Sequence, residues 1–187
     1  MDRRTALKNL ALVIGSTALL PSCIKHDSTA HFKHFDATGD QQTLVADMAE
    51  TIIPKTTTPG AIDLKLDQFV WLMLDDCTKK EDQQAFFKGM AEFNDLTQKM
   101  YSKSFSDCTK DQKLAVLNTF EKKGKKDTKD NKDNTYSKEL NGFYGTVKGL
   151  TVFGYTESQY FMTKEIVYEM IPGRYNARYP VKNLKTA

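Results

Sequence analysis

Three histidines, a pair of adjacent aspartates and three cysteines are the residues of this chain whose types carry chemistry. His31 and His34 stand three apart, a spacing that on a helix sets two imidazoles on one face, as a metal site needs. No third ligand stands nearby in the sequence. The segment around them, CIKHDSTAHFKHFDAT over residues 23–38, has neither helical nor strand periodicity and reads as a flexible tether. Metal binding is therefore not expected there. Asp75 and Asp76 would serve as general acid and base only if both faced one substrate. Adjacent residues on a helix point about 100° apart, so the pair reads as a solvated helix end. His26, His31 and His34 all fall in the tether, which leaves the remaining chain without an imidazole for base catalysis. The sequence also lacks Cys-x-x-Cys-His, a nucleophile elbow and His-Glu-x-x-His. No catalytic, cofactor-binding or metal-binding residue is expected in this chain.

The cysteines divide by position. Cys23 closes the stretch MDRRTALKNLALVIGSTALLPSC, in which Arg3, Arg4 and Lys8 form a positive head and Leu10 to Leu20 an apolar run. That run has signal-peptide length and is too short to span a bilayer. Leu20-Pro21-Ser22-Cys23 looks like a lipobox, so Cys23 is the expected lipidation site. Asp2-Arg3-Arg4-Thr5 resembles the twin-arginine export motif, read through both guanidinium groups; an ordinary lipoprotein signal carries positive charge here as well. Residues 1–22 are thus expected to be a cleaved signal peptide, and the protein to be periplasmic and lipid-anchored. Outside the cytoplasm Cys77 and Cys108 can either pair, closing a loop of about 30 residues, or remain as two buried thiols.

Composition bounds the rest. The 187 residues are 40% hydrophobic and 27% charged, with a mean hydropathy of −0.54 and a formal charge of +3. Arg3, Arg4 and Lys8 against Asp2 account for most of that charge, leaving the mature chain near about +1 and offering no electrostatic case for nucleic acid. After the signal no apolar run is long enough to cross a membrane.

From residue 39 onward the elements are helical. Leu44, Val45, Met48, Ile52 and Ile53 recur at helical steps until Pro54 stops them, and Thr56 to Gly60 is a turn-rich loop. Leu66, Phe69, Val70, Met73 and Cys77 make the next stripe. Phe86, Met90, Phe93, Thr97 and Met100 follow, then Leu114, Leu117 and Phe120. Thr78-Lys79-Lys80-Glu81, Thr109-Lys110-Asp111-Gln112 and Thr156-Glu157-Ser158-Gln159 read as capping boxes. Residues 121–138, lysine-rich and interleaved with Asp, Asn and Thr, read as a mobile loop. Leu140, Phe143, Val147 and Leu150 restore the helical pattern, punctuated by Gly142, Gly145, Gly149 and Gly154 at a spacing that is not a dinucleotide fingerprint. Phe161, Ile166, Val167 and Met170 form the last stripe, and Pro172-Gly173 leads into an aromatic tail. The expected fold is all-α: one compact domain over residues 39–187, of about five to six helices, with no strand pairing.

Several short motifs, in order, carry a resemblance. Glu50-Thr51-Ile52-Ile53-Pro54, Thr58-Pro59-Gly60-Ala61, Asp76-Cys77, Phe143-Tyr144, Gly154-Tyr155-x-x-Ser158 and Pro172-Gly173-x-Tyr175 span roughly residues 42–180. Together they resemble the gluconate 2-dehydrogenase subunit 3 family. The resemblance implies the non-catalytic small (gamma) subunit of a periplasmic, flavin-dependent dehydrogenase of sugars, glycosides or sugar acids. FAD and substrate would lie on a large subunit of the glucose-methanol-choline type, a cytochrome c subunit would accept electrons, and the small subunit would support export and stability of the large one. Gly145, Gly149, Tyr155, Tyr175 and Tyr179 are the candidate partner-facing residues, with packing inside this chain as the alternative for each. A stand-alone envelope lipoprotein that binds some other partner is the alternative function.

Overall fold

Thr38 decides where the helical part of the chain starts. Its hydroxyl accepts the Gln41 amide at 3.3 Å, while the Gln41 side chain accepts the Thr38 amide at 2.9 Å. This reciprocal cap satisfies two donors that a helix start leaves unpaired. The structure, a computed structural model, describes residues 29–124 and 136–166. Arg3, Arg4, Cys23, Tyr175 and Tyr179 lie outside the described residues, as do the Pro172-Gly173 turn and most of the lysine-rich stretch. Among the described residues five α-helices follow one another: α1 (Gly39–Ile52), α2 (Leu66–Cys77), α3 (Lys80–Tyr101), α4 (Lys110–Gly124) and α5 (Lys138–Thr156), with a π-helical turn at Phe161–Glu165. The domain is all-α in its body, as the stripes require.

One core joins the helices. Met48 from α1, Leu74 from α2, Phe93 from α3, Val116 from α4 and Phe143 and Val147 from α5 are all buried in it. The most extensive contact is between α3 and α5. Gly89 makes that contact possible: a Cβ on it would lie 2.1 Å from the Glu139 carbonyl oxygen, so only a hydrogen lets the two backbones come so close.

Local capping follows the sequence at one of the three expected boxes. Thr109 and Gln112 exchange both hydrogen bonds, at 3.0 and 3.3 Å, and open α4. At α3 the box is not made. The Thr78 hydroxyl donates back to the Met73 carbonyl at 3.2 Å, and Lys79 is the N-cap without a side-chain bond. The Thr156 box is not made either, because Thr156 is still inside α5 and donates to the Val152 and Phe153 carbonyls. Ser158 takes over, accepting the Phe161 amide at 3.2 Å. In both cases a carbonyl one turn back competes for the hydroxyl, which the spacing alone does not reveal.

The tether expected over residues 23–38 is corrected for its described part. Ala30–His31 (β1) pairs antiparallel with Asp36–Ala37 (β2), Ala30 opposite Ala37 and His31 opposite Asp36. Between them Phe32 and Phe35 pack against Trp71, with ring centroids 5.8 and 6.0 Å away, and Phe35 meets Phe87 edge-on at 5.2 Å. Two aromatic anchors in eight residues help to fix this hairpin to the helices, although the segment averages as polar.

Candidate functional site

Gly142, Gly145 and Gly149 lie on one exposed face of α5, and a Cβ added to any of them would find nothing within 4 Å. At about 100° per residue Val152 and Phe153 extend the same face, the whole set falling within about 100° of arc. These two side chains are 42% and 50% exposed. The result is a strip that is backbone-flat at one end and apolar at the other. A groove of about 420 Å³ flanks the Gly142 end, with Asp82, Lys138 and Thr146 on its rim and Phe86 and Phe143 beneath. A wider depression of about 820 Å³ flanks the other end, where Phe69, Phe153 and Tyr160 line it.

Tyr155, grouped with these glycines from sequence, belongs elsewhere. It is about 120° round the helix from Gly149 and packs against the cluster of Ala49, Ala61 and Leu66, with Phe161 at 5.6 Å. Gly154 also faces inward, where a Cβ would lie 2.8 Å from the Phe69 ring. Of the candidate partner-facing residues, Gly145 and Gly149 thus face open space, while Tyr155, half-buried, packs against this chain's own cluster.

Asp75 overturns the reading of a solvated acidic pair. Asp76 is exposed, but Asp75 is buried and holds the hairpin. Its carboxylate accepts the amides of Lys33 at 3.0 Å and His34 at 2.9 Å, the two residues at the hairpin tip. His34 Nδ1 lies 3.0 Å from both the Asp75 carbonyl and its Oδ1. Both are acceptors, so Nδ1 carries the proton. Gln83 on α3 completes the arrangement by donating to the Leu74 carbonyl at 2.9 Å and the Asp75 carbonyl at 3.3 Å.

Burial raises the Asp75 pKa, but the Lys33 and His34 amides and the His34 imidazole outweigh it, and the net direction is downward. A carboxylate held low in the folded state contributes stability that is complete above its unfolded value and lost as pH falls through its folded one. The Trp71 emission should therefore hold steady through neutral and mildly acidic pH and shift red below the usual carboxylate range. Asp75→Asn should remove that step; a step of unchanged size would assign it to another group.

The histidines do not share a helical face. His31 Nδ1 pairs with Asp36 Oδ1 at 2.8 Å on the hairpin edge, and His34 turns to Asp75. Among the described residues no group of three or more His, Cys, Asp or Glu side chains is placed to hold a metal ion. Cys77 is exposed at the end of α2, whereas Cys108 is buried and its thiol donates to the Ser104 carbonyl at 3.4 Å. Both are free, and burial pushes the Cys108 thiol up, against the pull of Lys103 and Lys113. The glycines of α5 are interior to a helix, not at a strand-to-helix turn, so they do not fit a dinucleotide cradle.

The motifs near the start of the domain turn out to be scaffold. The Glu50 carboxylate accepts the amides of Lys55 at 3.0 Å and Ile62 at 3.1 Å, closing the loop between α1 and α2. Gly60 has no room for a Cβ, which would meet the Lys55 nitrogen at 2.6 Å and the Glu50 carboxylate at 2.8 Å. Ala61 then donates to the Ile53 carbonyl at 2.9 Å. Glu50-x-x-x-Pro54 and Pro59-Gly60-Ala61 thus form a single loop-closing device.

The family model described as gluconate 2-dehydrogenase subunit 3 matches residues 39–173. The chain belongs to this family. The match begins at the first residue of α1 and leaves the hairpin outside it. The chain matches none of the curated proteins and none of the solved structures. Membership in the family implies a subunit of a dehydrogenase complex with a larger catalytic partner.

Proposed function

We propose that this chain is the non-catalytic small subunit of a periplasmic, membrane-associated dehydrogenase acting on a sugar, glycoside or sugar acid. In this reading FAD and substrate sit on a large subunit of the glucose-methanol-choline type, and a cytochrome c subunit takes the electrons. The twin-arginine-like start carries the folded pair out of the cytoplasm, and Cys23 anchors it through a lipid. The observation that carries the reading is the open face of α5 on a chain of a dehydrogenase subunit family. Each glycine in an exposed helix interior costs about 1 kcal/mol relative to alanine. Three on one face forgo that stability, while no atom of the described chain uses the space they leave. A partner element seated against the bare backbone would use it, and Val152 and Phe153 would supply the apolar contact.

The test is co-expression with the flavoprotein of the same complex. With this chain present, yellow partner should be recovered outside the cytoplasm; without it, the partner should remain inside. Replacing Gly145 and Gly149 together by Arg adds bulk and charge in open space, so the helical circular dichroism should persist while partner recovery falls to background. Full recovery with that variant would move the interface elsewhere. Flavin absorbance and substrate turnover by this chain purified alone would overturn the reading.

A further inference from the structure

The aromatic surface made by Trp71 and Phe87 is covered by the chain's own hairpin. A ladder of two residue pairs cannot hold itself together in water. The rings of Phe32 and Phe35, only partly buried, supply one attachment, and the fully buried Ala37 at the end of β2 supplies another. At the tip the polar attachment is a single carboxylate: Asp75 accepts both amides there and one imidazole hydrogen. Trp71 is 3% exposed, and its indole N–H has no hydrogen-bond partner. An unpaired buried donor is destabilising. By contrast, the helices beneath share one continuous core. A ladder of only two residue pairs, aromatic anchors left partly exposed and a small polar latch are the marks of a segment that opens below the global unfolding free energy.

We propose that residues 30–37 form a detachable strap, latched by Asp75 over Trp71, which opens as a unit while the five helices stay folded. Opening bares the aromatic surface of Trp71 and Phe87. It also lengthens the lead to the domain, a consequence that rests on the lipid-anchored reading given above. Six Cα-to-Cα steps separate Cys23 from Thr29, at most about 20 Å of extended chain, whereas sixteen separate it from Gly39, about 55 Å. The strap therefore sets how far the domain can stand from the membrane.

The chain contains one tryptophan, so its emission reports the strap directly. In the full wild-type chain, the Lys33 and His34 amides should exchange with solvent at least about tenfold faster than those of Leu74 and Val147. Equal rates would overturn the proposal without recourse to any variant. Asp75→Ala and Phe35→Ala should each raise acrylamide quenching of Trp71 several-fold, with the helical circular dichroism unchanged. Unchanged quenching, or quenching that rises only as helicity is lost, would make the hairpin an integral part of the core and sink the strap. The anchor is tested apart from this. Wild-type protein recovered wholly in the soluble fraction, as expected only for Cys23→Ala, would remove the anchored reading and its lead-length consequence, while the exchange and quenching results would still decide the strap.

Discussion

Gly89→Ala should destabilise the protein by about 3 kcal/mol, although alanine is the better helix former. The added methyl would sit 2.1 Å from the Glu139 carbonyl oxygen, 2.6 Å from the Glu139 carbonyl carbon and 2.8 Å from Phe143 Cβ. Two of these atoms are backbone and cannot swing aside. Relief comes only by parting α3 from α5, which loosens the most extensive helix contact in the fold. For a chain of this size the loss corresponds to a fall in Tm of about 6–12 °C. Gly149→Ala is the internal control: its methyl meets nothing within 4 Å, so the same substitution should stabilise by up to about 1 kcal/mol. Thermal unfolding of the two variants side by side checks both signs. A stable Gly89→Ala protein would mean that α3 and α5 do not approach as described.

Phe143→Ala should cost about 3–5 kcal/mol. The side chain is completely buried on α5, and its ring lies 4.9 Å from Phe86 and 5.5 Å from Phe93, both on α3. Truncation removes the wedge that locks the two helices together and leaves a void beside the α3–α5 groove, whose floor Phe143 also forms. Urea denaturation should show a lower midpoint with helical content retained below it. Phe143→Leu, which keeps most of the apolar volume, should lose visibly less. The neighbouring Tyr144 carries a different role. Its hydroxyl donates to Glu121 on α4, and burial together with that carboxylate drives its pKa far above the usual phenol range. A midpoint unmoved by Phe143→Ala would show that the aromatic cluster is dispensable.

The two motif residues Phe143 and Tyr144 illustrate what was legible. The three- and four-residue recurrence of Leu140, Phe143, Val147 and Leu150 marks a helix and its inner face, because burial on a helix repeats with the turn. The same logic locates α1 through Leu44, Val45 and Met48, and Pro54 ends it by removing a donor. The Thr109–Gln112 cap was readable because both partners lie within one turn of chain. The family, too, was legible, since its motifs are short and ordered along the chain.

Other features depended on residues distant in sequence. Asp75 looked like half of an exposed acidic pair, yet its partners Lys33 and His34 are more than forty positions away. The polar average over residues 23–38 concealed two phenylalanines whose target, Trp71, lies on another element. Nor did spacing distinguish Gly89, pressed against a backbone, from Gly145 and Gly149, which face open space. Periodicity and capping patterns report what a segment does by itself, through turn geometry and local hydrogen bonds. The sequence alone therefore determined the helices, their inward faces and the family. Tertiary structure alone decided which glycines must stay small, which carboxylate holds the hairpin and which face of α5 is left uncovered, because close approach and burial are properties of two elements brought together and not of either one.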